Sequence, residues 1–262
     1  MNAGNQAVQS IQFDKVADLY DYYVTVDFDV NFFLQEARKT GGKVLELTCG
    51  TGRISIPLIR ARVDLTCVDY SKGMLAVLQG KLDKNRFSCR VINMDITELS
   101  LQDRFDLIFI PLHSFSEILD KSKHKQTLER IRAHLTERGR FICTLQNPKV
   151  RIKSMDGALK LLGKFPTDSG GSLVVHSLSN YDTSTQMAYG FQLYEIYDKH
   201  DTLIEKRDLA INFYLFSKRE LEDLIHSAGF EVDALYGDYD YSEFDEDTSP
   251  FMIWKLKKTL PA

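Results

Sequence analysis

The chain has 262 residues, a formal net charge of −4, 44% hydrophobic residues and 27% charged ones. That size suits one α/β domain with an embellishment, and that composition an ordinary globular chain. The acidic balance argues against nucleic acid as a partner; no apolar run is long enough to cross a bilayer and no secretory signal is evident; four scattered cysteines, Cys49, Cys67, Cys89 and Cys143, lack metal-ligand spacing and suggest reduced thiols in a cytoplasmic protein.

Met1 to Ser10 is polar and expected to fray. Phe13 to Tyr23 sets Val16, Leu19, Tyr20 and Tyr23 at helical spacing, predicting a helix that either packs on the domain or forms a lid over a ligand. Asn31 to Lys39 predicts a helix with Phe32, Phe33 and Ala37 inward, stopped by Gly41-Gly42. Val44-Leu45-Glu46-Leu47 is a buried strand that ends at the turn Gly50-Thr51-Gly52, and Arg53 to Ile59 follows as a helix. Glycine permits a positive φ and lets backbone approach a ligand closely. A strand, a glycine turn and a helix start form a nucleotide site, because free N–H groups face the ligand. Gly50-x-Gly52-x-x-Ser55 narrowly misses the dinucleotide fingerprint, with serine in the third glycine place.

Two acids sharpen that pattern. Glu46, at the strand tip, opposes a pyrophosphate and suits an ammonium group. Asp69 ends the next apolar run, Leu65 to Val68, at roughly the twenty-residue spacing where a carboxylate meets ribose hydroxyls. The implied ligand combines an adenosine with a positive charge.

Further along, Ser71 caps a helix to Lys84 whose buried face carries Met74, Leu75, Leu78 and Leu82. Ser88 to Ile92 is a third strand, followed by Asn93-Met94-Asp95. Phe105 to Ile110 suits a strand buried on both faces and delivers Pro111-Leu112-His113-Ser114 to the carboxyl edge of the sheet. His113 is a candidate base or substrate clamp there, as against a histidine that only orients backbone. Ser116 and Glu117 face the same region if a helix begins at Ser114. Lys121 to Glu137 predicts a helix closed by Gly139, and Arg140 to Gln146 a fifth strand. Ile152 to Asp168 reads as a helix with a loop. Ser172 to Tyr181, Gln186 to Tyr197 and Thr202 to Phe216 read as an antiparallel meander; either Tyr189 and Phe191 or Tyr194 and Tyr197 face a pocket. Ser217-x-x-Glu220 is a capping box, and Phe230 to Tyr236 with Phe251 to Lys257 make a final hairpin. The acidic loop between them places Asp238 and Tyr239, or Tyr241, as possible holders of a cationic amine.

Four stretches taken in order, VLELTCGTGR, VDYSKGML, NMD and FDLIFIPLHSF, resemble the motifs of class I S-adenosylmethionine-dependent methyltransferases. The nearest resemblance is to small-molecule members acting on amino-sugar or glycopeptide amines, and it covers most of the chain. It departs at Thr48, where the family usually has its first loop glycine; that implies a different loop shape with the same cofactor.

The resemblance implies an α/β fold, a Rossmann-like doubly wound seven-stranded sheet whose last strand is antiparallel, with the meander inserted. It implies a cofactor-binding core with a lid helix over 1–150, a substrate cap over 151–216, and a helix and hairpin completing the sheet over 217–262. S-adenosyl-L-methionine is the expected cofactor, with no metal. Its expected contacts on the loop side are Glu46, Thr48, Gly50, Gly52, Arg53 and Pro111; on the nucleoside side they are Asp69, Tyr70, Met74, Asp95 and Ile96. Ala17-Asp18-Leu19-Tyr20-Asp21 matches a context in which relatives carry a tyrosine on the cofactor or substrate, so Tyr20 joins His113 as a catalytic candidate. Tyr23, His113, Glu117, Asp238 and Tyr239 are the expected acceptor contacts.

The expected function is methyl transfer to a small-molecule amine or hydroxyl by a monomer or homodimer, without nucleic-acid or membrane partners. The alternatives are a macromolecular (RNA or protein) methyltransferase, a nucleotide-dependent oxidoreductase, which Glu46 and the missing third glycine disfavour, and a binding protein that keeps the fold without catalysis.

Overall fold

A computed structural model of the chain describes residues 10–259, so the frayed start expected for Met1 to Ser10 lies, except for Ser10, outside the described residues. From the N-terminus come a 3-10 turn at Phe13–Lys15, α1 (Tyr20–Tyr23) and α2 (Val30–Thr40). The continuous helix expected over Phe13 to Tyr23 is broken into these two short turns. The break follows from side-chain demands: Asp14 Oδ1 accepts from the Ser71 hydroxyl and the Gly73 N–H, which pulls the first turn onto the main sheet. α2 ends as expected, with Gly41 in the left-handed region at φ 66°.

Then alternate β1 (Val44–Leu47), α3 (Ser55–Arg60), β2 (Leu65–Asp69), α4 (Lys72–Asn85), β3 (Arg90–Asn93) and β4 (Phe105–Ile110). α5 (Lys121–His134) leads directly into β5 (Leu135–Gln146), and α6 (Pro148–Arg151) follows. The helix expected to reach Glu137 stops at His134, because Leu135 already pairs with Phe105. Gly139 serves the strand rather than the helix end: a Cβ there would meet the Phe105 carbonyl oxygen at 2.9 Å.

The second sheet holds β6 (Lys160–Pro166), β7 (Ser172–Asp182), β8 (Met187–Tyr197) and β9 (Leu203–Tyr214), in that order and all antiparallel. It has four strands where three were expected. Part of the stretch read as helix and loop is β6, an edge strand that leaves Leu161 62% exposed and so lacks the alternation that marks a strand. α7 (Lys218–Ser227), β10 (Phe230–Tyr236) and β11 (Phe251–Lys258) return the chain to the main sheet.

The main sheet is ordered β10-β11-β5-β4-β1-β2-β3. β1 to β5 run parallel to one another, and β11 runs antiparallel to both β5 and β10. Strand alternation divides the core between two faces. Leu45, Leu47, Ile108 and Phe141 join one cluster, and Val44, Cys67, Phe109 and Ile142 the other. A third cluster joins lid to cap: Ile11, Val16 and Leu19 pack on Leu173, Val175, Tyr194 and Leu209. Tyr194 is therefore buried in packing and Phe191 stays 38% exposed; of the two pairs expected to face a pocket, Tyr189 is the member that lines a cleft. All four cysteines are free, and Cys67 and Cys89, far apart in sequence, approach to 3.6 Å between sulfurs. Among the described residues no helix is long and apolar enough to cross a membrane, and no group of His, Cys, Asp or Glu is arranged to hold a metal ion.

Candidate active site

β1 and β2 end side by side, because Val44 pairs with Leu65 and Leu47 with Val68. Their tips carry Glu46 and Asp69, with the glycine loop between. Asp69 organises that loop: one carboxylate oxygen accepts from the Gly50 N–H at 2.8 Å, the other from the Ser71 N–H at 2.8 Å. Glu46 is buried and accepts from the Ser55 hydroxyl at 2.6 Å. Thr48, at the family's glycine position, adopts φ 59°, a region costly for a β-branched residue. Its hydroxyl donates to the Leu47 carbonyl at 2.5 Å.

Three connected clefts open over these tips. The largest, about 370 Å³, runs from Gly50, Asp69, Tyr70 and Met74 past His113 and Glu117 to the cap residues Ser177, Ala188 and Phe213. The second is lined by Asp95, Ile96, Thr97, Tyr70 and Glu117. The third is narrow and is lined by Glu46, Arg53, Tyr20 and Pro111. Thr48 and Ser114 line all three and mark their junction.

The N-terminal segment, expected either to pack on the domain or to form a lid, is fastened on both sides. Toward the core, Tyr70 donates its hydroxyl hydrogen to the Ile11 carbonyl, and Thr51 donates to Asp21 at 2.6 Å. Arg53 makes a two-pronged contact with buried Asp29 at 2.5 and 2.7 Å. Toward the cap, Arg207 pairs with Asp18 at 2.6 Å, and the Tyr23 and Tyr194 hydroxyls lie 2.9 Å apart.

Burial dominates the electrostatics. It pushes the Glu46 carboxyl up to about 8, against the opposing Ser55 hydrogen bond and the Arg53 charge. It likewise pushes Glu117 up to about 8, helped by the nearby Asp69 charge. Burial, reinforced by the charges of Arg151 and Arg53, pushes His113 down to about 3. His113 is therefore neutral, and its Nδ1 is buried without a hydrogen-bond partner. Its ring stacks on Phe251 at 5.5 Å.

These residues fit a sulfonium nucleoside with an amino-acid tail. The narrow cleft offers an acid and a guanidinium, matching an ammonium and a carboxylate. Each Asp69 oxygen accepts one backbone hydrogen bond and keeps a lone pair for a ribose hydroxyl. Asp95 uses one oxygen on the Thr97 N–H at 2.8 Å, and buried Ile96 adjoins it as an apolar surface for a base. Gly50 has φ 55°, and a Cβ there would meet nothing within 4 Å, so the loop leaves open space beside it.

Most of the expected residues line the clefts; three do not. Gly52 faces α4, where a Cβ would come within 2.4 Å of Leu78. Asp238 turns onto its own loop and accepts from the Tyr239 N–H at 2.7 Å. Tyr239 is buried among Phe28, Phe32 and Phe251, one layer behind His113. The acidic loop thus backs the site without entering it. Sequence reading missed Gln146, Arg151 and Gln192, which line the large cleft. The available signal for Arg151 was Asn147-Pro148: the Asn147 side chain caps α6 by accepting from the Lys149 N–H, and that one turn directs the chain over the cleft.

Residues 44–139 match a family model described as "Methyltransferase domain". A putative methyltransferase of Geobacillus sp. (strain WCH70) is 29% identical over 127 residues, 48% of this chain and 51% of that protein, so the match spans about half of each. The glycine/sarcosine N-methyltransferase of Halorhodospira halochloris is 26% identical over 251 residues, 91% of this chain and 84% of that protein. The crystallographic fold of the CcbJ methyltransferase from Streptomyces caelestis superposes with a TM-score of 0.82 at 19% identity, covering 96% of this chain and 99% of that one.

Proposed function

We propose that this chain, which belongs to the class I S-adenosylmethionine-dependent methyltransferases, methylates the amine of a small molecule. The observation that carries this reading is the junction at Thr48 and Ser114, where clefts suited to the cofactor's nucleoside and amino-acid ends meet a larger, cap-lined cavity for an acceptor. The N-methyltransferase from H. halochloris, similar over nearly the whole chain, supports an amine over a hydroxyl. The net charge of −4 supports a small acceptor over RNA, and four free cysteines support a cytoplasmic setting.

When bound, S-adenosylmethionine supplies a methyl group on a sulfonium, open to in-line attack by an amine lone pair. The chain's own work is to position and to manage a proton. In this reading Glu46 and Arg53 hold the amino-acid end, Asp69 the ribose, and Asp95 with Ile96 the base; Tyr70 and Met74 border the nucleoside. Tyr20 and Tyr23 roof the junction and exclude water. Glu117 takes the proton from the acceptor, since a carboxyl near 8 gains and loses protons at working pH. His113, pushed down to about 3, is too weak a base for that task and instead accepts a hydrogen bond at Nδ1. This moves the base role expected of His113 to Glu117.

The test is calorimetry with S-adenosylmethionine, followed by labelled-methyl transfer into cell extract separated by size. The reading expects binding and label in the small-molecule fraction. Label confined to RNA or protein sinks the acceptor class; failure to bind at millimolar cofactor sinks the whole reading.

A further inference from the structure

The large cleft has two chemically different ends. Toward the cofactor lie two carboxyls, Asp69 and Glu117. Toward the cap lies Arg151, whose situation differs from that of the other basic groups around it. Arg53 lines the narrow cleft with its charge balanced by Asp29, and Lys149 pairs with Glu246 and Asp247 at 3.3 and 3.2 Å. The Arg151 guanidinium donates from Nη1 to the Ser154 hydroxyl at 2.9 Å, while its Nε is buried with no hydrogen-bond partner. Burial alone accounts for its pKa lying below the ordinary arginine value, with no carboxylate contributing. The charge is felt by neutral His113 on the cleft wall. The same cleft wall carries uncharged polar groups, Gln146, Gln192, Ser177 and Ser179, alongside apolar Leu178 and Ile211.

A partly buried guanidinium with an unused donor is costly unless something fills it. We infer that the methyl acceptor is an amine that also bears a carboxylate, received by the Arg151 guanidinium at the cap end while its amine lies toward Glu117. This deepens the proposed function and rests on the large cleft being the acceptor site. The guanidinium fork matches a planar carboxylate. A dianionic phosphate fits less well: among the described residues Arg151 is the one charged cation on the cleft wall, and two carboxyls share the same cavity.

The test does not use turnover. Full-length protein with 15N-labelled arginine, saturated with S-adenosylhomocysteine, is titrated with acetate and separately with acetamide, its neutral isostere. The Arg151 Nε–H resonance is assigned by its loss in Arg151→Gln or, should that variant fold poorly, in Arg151→Lys. The expected result is a saturable shift of that resonance with acetate, and binding of acetamide weaker by about tenfold or more. Equal responses to both probes, or no saturable shift with acetate, overturn the inference. Failure of the methyl-transfer reading is registered separately, as absent label in the small-molecule fraction.

Discussion

The two sheets are covered in different ways. In the seven-stranded sheet, every residue of β1 and β2 is buried, because helices and loops close both faces. The four-stranded sheet is half-open: most of β6 and the first half of β9 face solvent, and the lid residues Ile11, Val16 and Leu19 contribute to its one compact cluster. The first sheet places the cofactor clefts at strand tips whose register is fixed by buried neighbours. The second lines the large cleft, the acceptor site in the proposed reading, with strands that pack on a segment far away in sequence. One half of the site rests on a sheet buried on both faces, and the other on a packing contact with the N-terminal segment.

The largest expected effect separates these halves by stability. Leu107→Ala, in the main sheet, should cost about 2–5 kcal/mol and loosen the whole fold. Leu173→Ala, in the lid–cap cluster, should speed amide hydrogen exchange in β7 to β9 and in residues 11–23 while β1 to β4 keep their protection. Equal loss of protection in both sheets would break the comparison.

Next in size is chemistry. Glu117→Gln should lower turnover by roughly 10²–10³-fold, with cofactor affinity unchanged in calorimetry. A base must be ionised to take a proton, so kcat/KM of the unaltered enzyme should rise with pH through about 8. The variant should lose that limb. Asp69→Ala should do the reverse, weakening cofactor binding by roughly tenfold or more, since charge-assisted hydrogen bonds are removed. Unchanged calorimetry would remove Asp69 from the cofactor site.

A smaller effect concerns Glu46 in the cofactor-free protein. Its folded-state pKa is raised from 4.5 to about 8, so between those values the folded state holds a proton that the unfolded state has released. Stability therefore falls as pH rises through that window. Glu46→Gln should flatten this part of the melting-temperature profile; a profile unchanged from the parent would refute the burial effect. Smallest is Thr48→Gly, which should raise stability by up to about 1 kcal/mol in denaturant melts by relieving the left-handed threonine.

What could be read beforehand follows the same division. Short-range chemistry announced the parallel core. Ser71 and Ser217 cap their helices as their spacing implied, Gly41 ends α2, and the doubly buried strands appear as apolar runs. The glycine loop and its two flanking acids follow from local pattern for the same reason. Long-range demands were illegible. Nothing near Asp14 announces that Ser71 and Gly73 will break the lid into two turns. Nothing in Lys160 to Pro166 marks a strand, because its pairing to β7 supplies hydrogen bonds while Leu161 and Leu162 stay exposed and Phe165 alone of its large apolar side chains packs inward. Tyr239 was expected to hold a cationic amine; the rings it packs against instead, Phe28 and Phe251, lie elsewhere in the sequence or at the far end of its loop. Arg151 carried no local signal of its own; only the fold brings it onto the cleft wall.

The cluster shared by lid and cap also bears on transplantation. Leu173, Val175, Tyr194 and Leu209 are shielded in part by residues from the first twenty positions of the chain. Grafted into a foreign host without that leading stretch, the four-stranded unit would present a bare greasy surface and stick to its neighbours. Any chimera that borrows this roof must borrow the beginning of the chain with it.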